Sequence, residues 1–474
     1  MIRARLDGVI GRRDLLRSLG AGAALAALAP LTGCGGRAAR TGSTAAGGRD
    51  PLRAALRAAV LQLGTRLDQP TAYLLERRRV RALVDVAQAD VADEQVTVVV
   101  LAGTDGGRRI ERCFDDVTPA RIAAVAAELV TAARGPARAS IEVPAATDRR
   151  PRLDLDPAEL TPRGWLDRVR SIAARGARHA TSRIVYRASY LTCEDDRVWV
   201  IGAGGDRAQR LVRTRMGTTF VAWHGSEPMA GEAEVAGAHG PTPDLLEDGA
   251  IAEAAAAALA LFTPTAPPTG ERPVLLDPRV VAAVLDRGLA TLLAGGGPAP
   301  AAALTVIDDP TRPGYGTYAY DDDGAPAAAT RLIEGGAVVG RLGTGNARRS
   351  GRLWRLTRAP SNLVVTPGET AAAALEAGVD DGVVIAGVRG VDLDDTGAIV
   401  VRAARARELI DGRRTGRAWD DVELRADVRA LCAAITGVSA EHATVAIAGD
   451  GPPRSVVAPW LLTRATVGSA RSVR

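Results

Sequence analysis

A run of proline and threonine, Thr263-Pro264-Thr265-Ala266-Pro267-Pro268-Thr269-Gly270, cuts this chain in two. Proline fixes φ and donates no backbone hydrogen bond, so neither a helix nor an inner strand passes through such a run. The residues on each side must bury cores of their own. At 474 residues the chain is long enough for two or three cores, on a prior of roughly 150 residues per domain. Aromatic residues make up 3% of it and glycine numbers 52, so those cores are built mainly from Ala, Val and Leu, with many tight turns.

Before the run, residues 52–63 have helical periodicity. Further helices start at Thr118-Pro119, with Ile122, Val125, Ala126 and Leu129 on one side, and at Thr161-Pro162. Strand-like runs cover 96–101, 183–191, 198–201 and 210–223, and an Ala-rich helix covers 251–262. Beyond the run, a helix opened by Asp277-Pro278 and lined by Val281, Val284, Leu285, Leu289 and Leu292 precedes short strands at 304–307, 328–333, 337–342, 363–365, 383–388 and 444–448. Short strands at that spacing favour a folded-over sheet or partial barrel. The expected fold class is α+β, with two domains. An N-terminal helix-and-strand domain covers 51–262, a Pro/Thr linker 263–273 and a β-rich C-terminal domain 274–474.

The first 34 residues are of another kind. Arg12-Arg13 is followed by Asp14, Leu15, Leu16 and Arg17, then by an apolar run over 19–31 that closes on Leu31-Thr32-Gly33-Cys34. A positive region, a short apolar region and a small-residue cleavage site are the parts of a signal peptide. The apolar run is too short for a membrane-spanning helix, which needs roughly 20 residues. Arg12-Arg13 resembles a twin-arginine signal, the route of already folded proteins. Leu31-Thr32-Gly33-Cys34 resembles a lipoprotein box in which Cys34 becomes a diacylated N-terminus. The expected location is the outer face of the cytoplasmic membrane, held through lipid on Cys34, with residues 35–50 as a flexible tether. The formal charge of +5 belongs largely to this segment, whose five Arg outweigh Asp7 and Asp14. Its removal leaves a charge near neutral, and no nucleic-acid partner is expected.

Chemistry-bearing residues are sparse. Besides Cys34 the chain has Cys113, Cys193 and Cys432, too far apart for a zinc knuckle. A Cys113–Cys193 disulfide and isolated thiols are both open. The four histidines, His179, His224, His239 and His442, have no i,i+3 or i,i+4 pair. Asp321-Asp322-Asp323-Gly324 lacks the ligand spacing of an EF-hand and reads as an acidic hairpin turn. Gly340-Arg341-Leu342-Gly343-Thr344-Gly345 has neither a following helix nor a Gly-Lys-Ser/Thr, and reads as a turn between strands.

Several blocks of the second half occur in a recognisable order. They are Val274-Leu275-Leu276-Asp277-Pro278, Ile307-Asp308-Asp309-Pro310, Asp321-Asp322-Asp323-Gly324-Ala325-Pro326, Thr330-Arg331-Leu332-Ile333-Glu334-Gly335-Gly336, Pro360-Ser361-Asn362-Leu363 with Pro367-Gly368, and Leu462-Thr463-Arg464-Ala465-Thr466-Val467-Gly468. In order and spacing they resemble the C-terminal domain of the TldD/PmbA family, described as modulators of DNA gyrase and as metallopeptidases. The resemblance implies a zinc-bearing subunit with His-Glu-x-x-x-His on the helix after the Asp-Pro entry and a cysteine near the C-terminus. Here that motif falls on Asp286-Arg287-Gly288-Leu289-Ala290-Thr291, without either histidine. Arg287 stands where the general-base glutamate would be, and a guanidinium with a pKa above about 12 accepts no proton. The late glycine-rich turn, Val445-Ala446-Ile447-Ala448-Gly449-Asp450-Gly451, carries no cysteine.

The resemblance therefore implies the PmbA-like (TldE-like) branch. Such a chain is the non-metal, non-catalytic subunit of a metallopeptidase, pairing with a TldD-type zinc-bearing paralogue or with itself and helping to hold extended peptide. Zinc is expected only in the partner, and no cofactor here. The alternatives are a stand-alone surface lipoprotein that has lost proteolysis, and an autonomous metallopeptidase with unfamiliar ligands.

Overall fold

A computed structural model describes residues 49–137, 141–151, 153, 155–224, 227–263, 265–343, 345–350, 354–420, 422–447 and 451–469. The expected signal, with Arg12, Arg13 and Cys34, and all of the expected tether but its last two residues lie outside the described residues.

The first half is a seven-stranded sheet with helices on one face. Helix α1 (Arg49–Gly64) leads into antiparallel strands β1 (Asp68–Asp85), β2 (Ala89–Asp105) and β3 (Arg108–Phe114). Then come α2 (Pro119–Ala132), β4 (Ala146–Arg149), α3 (Pro162–Ala177), β5 (Ile184–Gly202), β6 (Gly205–His224), β7 (Glu227–Gly237) and α4 (Asp248–Leu259). The spatial order is β3-β2-β1-β5-β6, and the far edge of β6 carries β7 antiparallel and β4 parallel. Thr118 and Thr161 cap α2 and α3 by accepting from the N–H three residues on, each followed by proline at the first helical position.

Alternation assigns the faces. Leu74, Val80 and Ala82 of β1 point toward the helices, where Leu56, Ile122, Trp165 and Ile251 are buried. Tyr73 and Leu75 point to the opposite face, beside Val98, Val100, Val198 and Val200. The strand-like runs noted in the sequence omit β1, because Arg77-Arg78-Arg79 and Arg81 mask its period of two. Arg77, Arg79 and Arg81 lie on a sheet face that is itself covered, as described below, while Arg78 is on the helix side and pairs with Asp93.

The second half starts at β8 (Gly270–Leu276), which begins inside the stretch expected as linker, 263–273. It continues with α5 (Pro278–Ala294), β9 (Val306–Asp308), β10 (Thr330–Glu334), β11 (Ala337–Val338), β12 (Ala347–Ser350), β13 (Arg355–Arg358) and β14 (Asn362–Val365). After α6 (Ala372–Ala377) follow β15 (Asp381–Leu393), β16 (Ala398–Ile410), β17 (Arg413–Trp419), β18 (Val422–Asp427), α7 (Val428–Ala433), β19 (Gly437–Ile447) and β20 (Arg454–Ser469). Strands β20, β18, β16, β15 and β8 pair in that order, and β8 returns to β20, closing a five-strand barrel. The α+β class with a partial barrel is thus the observed fold.

Helix α5 packs its Val281, Val284, Leu285, Leu289 and Leu292 against the barrel strands. Each such side chain contributes roughly 1.5–3 kcal/mol by leaving water. Asp277 caps the helix by accepting from Val280 N at 2.8 Å, and its other oxygen accepts from Gly387 N at 2.8 Å, tying the helix start to β15. A Cβ at Gly288 would run into Val428, so glycine is what lets α7 approach α5.

Cys193 and Cys432 are buried free thiols. Cys113 on β3 and Cys193 on β5 are separated by β2 and β1. Three strand spacings amount to about 14 Å, twice the roughly 7 Å that a disulfide bridges. The Cys113–Cys193 bridge left open by the sequence is therefore absent.

Candidate functional site

The positions singled out on the sequence lie on α5, and the structure separates them. Asp286 and Thr291 are five residues apart, which turns them by roughly 140° around a helix of 3.6 residues per turn. Asp286 faces the start of β20. Its carboxylate, 4% exposed, receives both Nε and Nη2 of Arg454, the second at 2.8 Å. Arg287 is exposed, and the Thr291 methyl lies beside Gly397 at the β15–β16 turn.

A catalytic zinc needs three protein ligands and an open position. Here both oxygens of the one carboxylate are held by a guanidinium, and no group of three or more His, Cys, Asp or Glu residues suited to a metal occurs among the described residues. The residues of α5 do not fit a catalytic zinc. Residues 448–450 of the late glycine-rich turn lie outside the described residues.

The histidines do not converge either. His224 Nε2 is 3.1 Å from Ala258 O, His239 Nδ1 is 2.9 Å from Gly240 O, and exposed His442 is 3.3 Å from Ala440 O. The acidic turn is built from within. Asp321, fully buried, accepts from Asp323 N at 3.1 Å and Ala325 N at 2.8 Å with one oxygen, and from Gly345 N and Ala347 N, each at 3.0 Å, with the other. Its lone pairs clamp backbone, as an acidic hairpin turn requires.

What sequence reasoning missed is a charged checkerboard on the helix-free face of the first sheet. Strand register places Glu94, Arg79, Glu194 and Arg213 in one row across β2, β1, β5 and β6. In the next row Arg77 makes a bidentate pair with Asp196, both bonds 2.7 Å, and Arg213 adds a third bond to Asp196 at 3.1 Å. Burial opposes ionisation of Glu194, but the charges of Arg77, Arg79 and Arg213 outweigh it and hold the carboxyl down at about 2. The signal was there: Arg77, Arg79 and Arg81 alternate as a strand does, and so do Glu194 and Asp196.

At the β7 end of this face, Tyr190 Oη donates toward both Glu232 and Glu234, and Arg215 Nε donates to Glu234 at 2.6 Å. Burial, then the neighbouring Glu234 carboxylate, pushes Glu232 above the usual carboxylate range. Arg279, from the first turn of α5, donates to the Glu232 carbonyl at 3.3 Å.

Comparison with known proteins follows this division of the chain. Residues 269–469 match the family model of the PmbA/TldA metallopeptidase C-terminal domain. A metalloprotease of Methanothermobacter thermautotrophicus is 27% identical over 211 residues, 39% of this chain and 46% of that protein. A metalloprotease of Synechocystis is 34% identical over 93 residues, 17% of this chain and 20% of that protein. The chain thus spans less than half the length of these curated relatives. In fold it is similar to TldE from Thermococcus kodakarensis, with a TM-score of 0.69 at 17% identity over 88% of this chain and 100% of that one. The likeness extends through both halves.

Proposed function

We propose, from the support these matches give to membership of the PmbA/TldD family, that this chain is a PmbA-type (TldE-like) subunit that holds no catalytic zinc. It works by pairing with a zinc-bearing paralogue or a second copy, shaping a proteolytic chamber. The observation that carries this reading is Arg454 on both oxygens of Asp286, at the helix position where the family resemblance places a zinc ligand. A carboxylate already paired through both oxygens with a guanidinium is a poor ligand for a cation, and Arg287 beside it is exposed and is no general base.

Extended peptide would be held by strand addition. Strand β19 pairs with β20 along one edge, and its other edge, beyond the Ala440 bond to Thr370, is where we would add the peptide strand, over exposed residues 441–444. We place this work outside the cytoplasm, at the membrane surface, through the Arg12-Arg13 signal and lipid on Cys34. No described helix is long and apolar enough to cross a membrane.

The test is metal content and peptide hydrolysis of protein made without a His tag, with recovery of partners after cross-linking. The reading expects no stoichiometric zinc, no cleavage by the chain alone, and a dimer or a paralogous partner. Stoichiometric zinc, or chelator-sensitive cleavage that Asp286→Ala abolishes, sinks it in favour of an autonomous peptidase. A strictly monomeric protein with no partner recovered makes it a stand-alone lipoprotein.

A further inference from the structure

Between β9 and β14 the chain leaves the barrel and crosses to the first sheet. Residues 315–320 of a first arm and, among the described residues of a second, 345–350 and 354–358, lie over the checkerboard, while the β10–β11 hairpin between them returns to β9. We propose that these two arms are a clasp that fastens the barrel to the charged face of the first sheet, so that the two halves open and unfold as one body. The proline-rich run before β8 would then be a covalent connection without being a hinge.

Side chains of the first sheet read the backbone of the first arm. Gln209 Oε1 accepts from Ala319 N at 2.9 Å and Tyr320 N at 3.2 Å, and its Nε2 donates to Tyr320 O at 2.7 Å. Arg213, 2% exposed, donates from Nε to Tyr315 O at 2.9 Å and from Nη2 to Thr317 O at 3.4 Å, while Nη1 stays on Asp196. The second arm is held by cation–π stacking in both directions: Arg349 lies 5.3 Å from the Tyr73 ring centroid, and Arg77 lies 5.5 Å from that of Trp354.

The arms are joined to each other and to the barrel. Asp321 of the first arm accepts from the backbone of the second, and Tyr318 Oη donates to Gly345 O at 2.7 Å. Asp308, at the end of β9, accepts from Ser361 N at 2.7 Å and from Asn346 Nδ2 at 2.6 Å. Asn362 Oδ1, in β14, accepts from Gly316 N at 2.9 Å.

The energetic consequence follows from burial. Pulling the arms away leaves Gln209, the Nε and Nη2 of Arg213 and the carbonyls they serve without partners until water enters a face made of closely spaced charges. Each group left unsatisfied opposes the opening, and the contacts are lost together. This holds whatever the chain binds.

The experiment cuts the connection and asks whether the halves stay together. A protease site replaces residues 265–269 in the full chain, the protein is nicked under native conditions, and the halves are followed by size exclusion on serial dilution. Nicked wild type is expected to co-elute at micromolar concentration. Gln209→Ala with Arg213→Ala is expected to weaken the association at least tenfold, whereas Arg279→Ala, which removes one bond away from the clasp, weakens it far less. Separation of nicked wild type at micromolar concentration, or a double variant as tight as wild type, overturns the proposal. Should the double variant not fold, hydrogen exchange on intact wild type decides. The amides of Ala319 and Tyr320 are expected to exchange as slowly as those of the core of β1, and exchange as fast as in open loops overturns the clasp.

Discussion

Arg454, at the first residue of β20, holds both carboxylate oxygens of Asp286 in the middle of α5, across 168 positions of sequence. The pair cross-links the barrel wall to the helix packed against it. With Asp286 at 4% and Arg454 at 18% side-chain exposure, removing one partner strands a charge in a mostly dry site. Arg454→Ala is expected to cost about 3 kcal/mol in urea denaturation, and adding Asp286→Ala to recover part of that loss. Additive costs for the two substitutions would show that the two charges do not act as a pair.

Asp321 is expected to behave as a backbone clamp. Asp321→Ala leaves four main-chain N–H groups, of Asp323, Ala325, Gly345 and Ala347, without their acceptor. A loss of at least ~3 kcal/mol is expected, with Asp323→Ala near neutral by comparison. Calcium added to wild type should leave the melting temperature unchanged, and a calcium-dependent rise would assign the turn to cation binding.

Glu232 gives stability a pH dependence of definite sign. Burial and the Glu234 carboxylate raise its proton affinity in the folded chain, opposed by Arg215, Arg279 and the Tyr190 hydrogen bond. A carboxyl with a raised folded-state pKa contributes stability that is present at acid pH and lost as pH rises through that value. Glu232→Gln should therefore melt higher than wild type at pH 7.5, with the difference closing toward pH 4. Equal melting temperatures at both pH values would mean that Glu232 titrates as it does in the unfolded chain.

Membrane attachment through Cys34 is testable in cells. One acyl chain binds a membrane marginally, so stable anchoring needs two or more. Cys34→Ala is expected to release the protein or leave it unprocessed, and Arg12→Ala with Arg13→Ala to keep it in the cytoplasm. A Cys34→Ala protein that fractionates and migrates like wild type removes the lipid anchor from the account.

Local signals fixed much of what the sequence could say. Thr118-Pro119, Thr161-Pro162 and Asp277-Pro278 each start a helix at the expected residue, because capping and the proline φ act within one turn. Ile122, Val125, Ala126 and Leu129 are buried as their spacing requires. That 286 and 291 carry no histidine and 287 no glutamate was legible in residue type alone. Tertiary structure decided the rest. That β1 is a long central strand follows from its arginines finding Glu194 and Asp196, more than 110 residues later in the chain, once β5 lies beside it. That Asp286 belongs to Arg454, that Cys113 and Cys193 stand three strands apart, and that the segment around Tyr315 and Thr317 crosses onto the other sheet are matters of strand order and register. Strand pairing is non-local and follows from the burial of whole faces, so no window of sequence contains it.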